Sequence, residues 1–192
     1  MFDIQTQLFE GQDIRLGPID YDKDPEIESK WTHDSDFMRM YSIDPARPMS
    51  AAMVKKKFEK LEKEIEDDKN MYYFTIRAKA DDRLIGNIAI QWVEWSNGNA
   101  HIHVGIGAAD DRRKGYGSQA MRMSLRFAFA ELNLFRLTAR VPEYNEGAIA
   151  LLKKFGFVEE VRRRQALERD GRCWDLFVFG LLKDEWQQQA KV

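Results

Sequence analysis

Seven consecutive residues, Arg112-Arg113-Lys114-Gly115-Tyr116-Gly117-Ser118, combine three cations with two glycines. An apolar run, His101 to Ala108, precedes them, and a helical periodicity follows them. A strand, a basic glycine loop and a helix N-terminus in that order make a site for a phosphate-bearing ligand. The loop amides and the helix dipole attract an anion, and the missing side chains at Gly115 and Gly117 let it come close. Arg112, Arg113 and Lys114 supply charge where a diphosphate needs it. The helix after the loop carries Met121, Leu125, Ala128, Phe129 and Leu132 on one stripe. By itself the loop also fits an ordinary strand-to-helix turn that uses glycine to change direction.

The elements that hold this loop must come from one chain of 192 residues, which suits a single domain over 1–192. It is 44% hydrophobic with 12 Phe and 5 Trp, enough for a substantial core. Charged residues reach 32%, yet the formal net charge is only -2, so there is no electrostatic case for nucleic acid or an anionic membrane surface. Apolar runs are far shorter than a membrane span. Met1-Phe2-Asp3-Ile4-Gln5 lacks the basic and apolar regions of a secretory leader. The single cysteine, Cys173, excludes an internal disulfide and fits a reducing cytoplasm. It sits in a predicted strand beside Trp174 and reads as a packed thiol. No metal is expected.

Ile14-Arg15-Leu16 reads as a first strand closed by Gly17-Pro18, and Asp22 to Asp34 as a helix carrying Ile27 and Trp31. Asp44 to Pro48 is a loop. Ser50 caps a helix with Val54, Phe58, Leu61 and Ile65 on its apolar face. Its lysines and glutamates read as solvation and i,i+4 pairing. Three strands follow, Tyr72 to Ala78, Leu84 to Val93 and Asn99 to Ala108. The turns between them, Asp81-Asp82-Arg83 and Ser96-Asn97-Gly98-Asn99, predict an antiparallel meander. A helix from Gly115 to Leu132 then leads to a strand at Arg136 to Val141, and a second helix runs from Asn145 to Phe155. Val158 to Leu167 and Cys173 to Leu182 form a hairpin closed at Asp170-Gly171. The fold class is mixed α/β: a meander, a crossover helix into a parallel strand, and a closing hairpin.

Asn145-Glu146-Gly147-Ala148-Ile149-Ala150-Leu151-Leu152-Lys153-Lys154-Phe155-Gly156-Phe157 is a short amphipathic helix with an Asn N-cap and a glycine stop. Together with the loop it resembles the GNAT superfamily of acyl-CoA-dependent N-acetyltransferases. Arg112, Gly115 and Gly117 match that family's loop. Asn145, Ala148, Leu151, Lys154, Gly156 and Phe157 match its later helix. The resemblance covers Ile14 to Leu182, and the wording around Gly105-Ile106-Gly107 and Asn145 is most similar to the ribosomal-protein N-terminal and spermidine acetyltransferases.

The resemblance implies that acetyl-CoA lies between two splayed parallel strands, here His101–Ala108 and Arg136–Val141. Ile106 and Gly107 would pair with the pantetheine, and the amides of Arg113, Lys114, Gly115, Tyr116, Gly117 and Ser118 would hold the diphosphate. Asn145 would hydrogen-bond the pantetheine arm, and Arg112 would fix the loop. It implies direct attack of a primary amine on the thioester, after a base has removed the amine's proton. Many relatives place a tyrosine acid where this chain has Leu152, so the acid is unassigned, with Tyr144 nearby in sequence.

Three residues are candidates for the base. Glu94 lies between Trp92 and Trp95, which could raise its pKa or bind a cationic acceptor. His101 and His103 share strand parity and have the right pKa. Each also has a reading as a surface or packing residue. The acceptor amine could belong to a protein N-terminus, a polyamine or a small molecule. Asp20, Asp22, Asp24, Glu26 and Glu28 hint at cation attraction or form solvated loops. Trp174, Phe177 and Phe179 fit either a homodimer contact or core packing. A non-catalytic acyl-CoA-binding module is the alternative function. A dinucleotide-binding unit is disfavoured because the Gly-x-Gly-x-x-Gly pattern is missing.

Overall fold

A computed structural model describes residues 7–189. The pentapeptide read for a leader, Met1 to Gln5, lies outside them. Seven strands form one sheet in the order β1-β2-β3-β4-β5-β7-β6. They are β1 (Ile14–Gly17), β2 (Tyr72–Ala78), β3 (Leu84–Glu94), β4 (Asn99–Ile106), β5 (Arg136–Pro142), β6 (Val158–Arg169) and β7 (Arg172–Leu182). Only β4 and β5 pair in parallel; each other neighbouring pair is antiparallel. The helices are α1 (Asp24–Thr32), α2 (Ser35–Tyr41), α3 (Ala51–Asp68), α4 (Tyr116–Arg126), α5 (Glu146–Lys154) and α6 (Lys183–Gln189). Among the described residues no helix is long and apolar enough to cross a membrane.

Strand alternation sorts the core. Ile102, Val104 and Ile106 of β4, with Phe74 and Ile76 of β2, join α4 and α5 in one apolar cluster that includes Met121, Leu125 and Leu152. The opposite face of the sheet takes α1 to α3. Here lie Gly105 of β4 and Gly107 just beyond it, and their lack of side chains is what admits the helices. A methyl group on Gly105 would fall inside the Tyr41 ring, and one on Gly107 inside the Trp31 indole. The two glycines therefore set how closely α1 and α2 lie against the strand.

Several expectations change. The helix read over Asp22 to Asp34 stops at Thr32, and residues 35–41, given no element from sequence, form α2. The Asp34 carboxylate accepts from the Asp36 and Phe37 amides and so begins a new helix. Beyond Arg126 the long helix widens into a π turn, Phe127–Glu131, with Leu132 N–H donating to the Phe127 carbonyl. The closing hairpin is longer than read and turns on Asp170 and Gly171, both with positive φ. Cys173 is exposed opposite Glu168, not packed. Phe177 and Phe179 are core residues, 9% and 0% exposed. Of the early acidic residues, Asp24 and Glu28 are buried, paired with Arg77 and Lys57 at 2.6 Å each.

Candidate active site

The parallel pairing of β4 with β5 is short. Asn99 faces Arg136, Ala100 faces Leu137 and His101 faces Thr138, and there it ends. From Ile102 onward the strands diverge, so the β4 edge facing β5 has no strand partner. The wedge between them opens into a cleft of about 590 Å³. A smaller cavity of about 60 Å³ adjoins it and shares Met40, Tyr41, Val104, Asn145, Ala148 and Leu151 with it.

The glycine loop forms the mouth of the cleft. Arg113 (φ 64) and Gly115 (φ 86) both take the left-handed conformation, which turns successive amides toward one side. No side chain caps α4, so the first amides of the helix, at Tyr116, Gly117 and Ser118, are available to an anion, and all three residues line the cleft. A second helix start, Glu146 of α5, borders the same space. Nothing lies within 4 Å of a Cβ built on Gly115, so its φ alone demands glycine. Gly115→Ala is expected to cost about 1 kcal/mol in chemical denaturation through that backbone strain.

Arg112 is turned inward. Its guanidinium donates to the carbonyls of Ile106 (3.3 Å) and Gly107 (2.6 Å), pairs with Asp34 (3.3 Å) and lies over the Phe37 ring. Arg83 grips Asp111 through two 2.6 Å hydrogen bonds. The N-terminal end of the loop is thus fastened before any ligand arrives. Ile106, Arg112, Arg113, Gly115, Tyr116, Gly117, Ser118 and Asn145 all line the cleft. Gly107 and Lys114 do not; Gly107 is buried under Trp31 and Lys114 is exposed. The Asn145 side chain accepts from the Ala148 amide at 3.0 Å and donates to the Met40 carbonyl at 2.9 Å, joining α5 to α2.

The base candidates separate. Glu94 pairs with Asn99, at the end of β4 opposite Ile106, and its carboxylate accepts from Asn97. At roughly 3.3 Å per residue, that places it about 23 Å along the strand from the mouth of the cleft. His101 closes the wedge beside Thr138 and packs on the Trp92 ring. His103 lines the smaller cavity. Its Nε2 is 2.8 Å from the Tyr41 carbonyl, which can only accept, so Nε2 carries the hydrogen and Nδ1 keeps the basic lone pair. Burial, with Lys57 adding to it, pushes the imidazole below its usual range against the pull of that hydrogen bond. Leu152 lines this cavity too, and the Tyr144 hydroxyl donates to the Arg39 carbonyl at 3.1 Å.

The sequence reading misses α2, which supplies Phe37, Met40 and Tyr41 to the wall. Its signal is present: Asp34 as a cap, with Phe37 and Tyr41 four residues apart.

Residues 13–158 match the family model described as Acetyltransferase (GNAT) domain. The chain belongs to the GNAT acetyltransferase family. The uncharacterized N-acetyltransferase p20 of Bacillus licheniformis is 33% identical over 59% of this chain and 63% of its own length, just under two thirds. "Probable N-acetyltransferase YjcK" of Bacillus subtilis (strain 168) is 27% identical over 94% of this chain and 100% of its own. A crystal structure of spermidine N-acetyltransferase from Vibrio cholerae in complex with CoA and spermine has the same fold. It superposes with a TM-score of 0.77 at 19% identity, covering 91% of this chain and 98% of that one. In this GNAT acetyltransferase the loop, the wedge and the later helix stand in the order read from sequence.

Proposed function

We propose that this GNAT acetyltransferase moves an acetyl group from acetyl-CoA to a primary amine. The observation that carries the reading is the β4–β5 wedge, open beneath two helix N-termini, one of them uncapped. The residues fit the co-substrate. The amides of Tyr116, Gly117 and Ser118, with Arg113, would hold its diphosphate. The unpaired edge of β4 around Val104 would take its pantetheine arm. Acetyl-CoA brings an activated acyl carbon and a thiol leaving group; the chain supplies the rest.

His103 is the base. Its Nδ1 takes a proton from the ammonium, which is mostly cationic at pH 7. The free amine attacks the acyl carbon, forming the N–C bond, the C–S bond breaks as the electron pair leaves on sulfur, and the freed thiolate takes the second proton from nitrogen, leaving a neutral amide and a thiol. Amide hydrogens of the open β4 edge stabilise the oxyanion between those events. With Leu152 in the cavity and the Tyr144 hydroxyl engaged, the sulfur departs as thiolate, which a thiol of pKa near 8.5 does without a dedicated acid.

Thiol release from acetyl-CoA by the purified protein, followed with amines of several classes, tests this. Amine-dependent release supports acetyl transfer. Tight acetyl-CoA binding with no amine-dependent release favours a non-catalytic acyl-CoA-binding module, and no binding at all removes the reading.

A further inference from the structure

The smaller cavity, where the acceptor would meet the thioester, has no acidic lining. Sixteen residues border it, and not one carries a carboxylate. Its one permanent charge is Arg140 on β5, and its titratable groups, His103 and Tyr41, are both pushed by burial toward their neutral forms. This is the reverse of what a polycation needs. A second ammonium held beside a guanidinium, with no carboxylate in the lining to balance it, meets repulsion in place of recognition.

Arg140 is held ready. Its guanidinium lies 5.2 Å from the centroid of the Trp92 ring. Trp92 has a positive φ of 54 at the β-bulge between Gln91 and Glu94, and its ring touches both Arg140 and His101. Both residues are exposed, and stacking of this kind orients a guanidinium by its face while leaving its in-plane N–H donors free. Other arginines are already paired: Arg39 with Asp170, Arg112 with Asp34, Arg162 with Asp175. Among the described residues no carboxylate pairs with Arg140.

Building on the acetyltransferase reading, we propose that the acceptor is an amine carrying a carboxylate a few bonds from the reacting nitrogen, and that Arg140 selects it. A fixed guanidinium takes a carboxylate through two parallel hydrogen bonds and orients the amine as it binds. Polyamines are disfavoured acceptors by the same charge.

The test compares kcat/KM, by thiol release, for the peptides Ser-Asp-Glu-Phe and Ser-Lys-Arg-Phe, for L-glutamate and for spermidine. The wild-type protein should use an acidic acceptor at least tenfold better than the basic peptide and spermidine. L-glutamate against the acidic peptide tells a free amino acid from a peptide N-terminus. Arg140→Glu should reverse the ranking, and Arg140→Lys should keep its sign with a smaller margin. Calorimetric titration with acetyl-CoA checks each variant's fold and co-substrate site. A wild-type preference for spermidine, a ranking unchanged in Arg140→Glu, or acetyl-CoA binding with no acidic acceptor used, overturns the proposal. Absence of acetyl-CoA binding in the wild type overturns the acetyltransferase reading beneath it.

Discussion

His103→Gln is expected to lower kcat by about a hundredfold or more, the usual contribution of a positioned base. Acetyl-CoA affinity should hold, because His103 borders the smaller cavity and not the cleft under the glycine loop. The pH profile carries the sharper information. A base acts when neutral, so kcat rises with pH through the imidazole pKa and then levels. Burial, together with Lys57, depresses that pKa below its ordinary 6.5. The rise should therefore lie on the acid side of 6.5 and vanish in His103→Gln. A limb that persists in the variant would assign the base elsewhere.

The same depression has a stability consequence, and its sign is fixed. An imidazole whose folded pKa lies below its unfolded value takes its proton more readily when unfolded. Folding stability therefore falls as pH drops from about 6.5 through the folded pKa. His101 adds to this, its pKa lowered by burial and by Arg140 against the pull of Glu94. Urea midpoints between pH 7.5 and 5 should decline in the wild type and decline less in His103→Gln.

The second large effect lies at the back of the α1–α3 face. Asp24 and Arg77 form a buried pair at 2.6 Å, 0% and 6% exposed at their side chains. Burial raises the Asp24 carboxyl above its usual range even with Arg77 beside it, and among the described residues its Oδ1 has no hydrogen-bond partner. The charged pair is thus costly to bury, yet removing one member is worse. Asp24→Asn strands the Arg77 guanidinium and should cost about 3–5 kcal/mol in urea denaturation. The double variant Asp24→Leu with Arg77→Met should recover most of that loss. Failure of the double variant to recover would show that the Asp24 bond to the Asp20 amide matters more than the ion pair.

What the sequence discloses follows from how local its signals are. Ser50 caps α3, Gly115 opens α4 and Asn145 caps α5 through bonds to residues within four positions, and all three are legible. The β2–β3–β4 meander is legible because its turns are short. The wedge is legible only through the family resemblance: two strands that start paired and then part have nothing in their own residues that marks where they part. The short α2 is obscured because Asp34 ends one segment and begins another. Arg112 reads from sequence both as charge for a phosphate and, through the family resemblance, as a residue that fixes the loop, and the fold shows its guanidinium spent on carbonyls and Asp34. Glu94 and His103 look equal as titratable groups. Register separates them, placing one by the β3–β4 hairpin and the other in the cavity.

The parting of β4 from β5 leaves the sheet with an empty slot in its middle, where most sheets keep their exposed hydrogen-bonding groups at the rim. An extended ligand arm laid there acts as an eighth strand. Within the sheet, the meander on one side and the closing strands on the other are joined among the described residues by three β4–β5 ladder pairs. Filling the slot would splice them. Amide hydrogen exchange at Ile102 to Ile106 and at Ala139 to Val141 should slow together on acetyl-CoA addition, and the melting temperature should climb with its concentration.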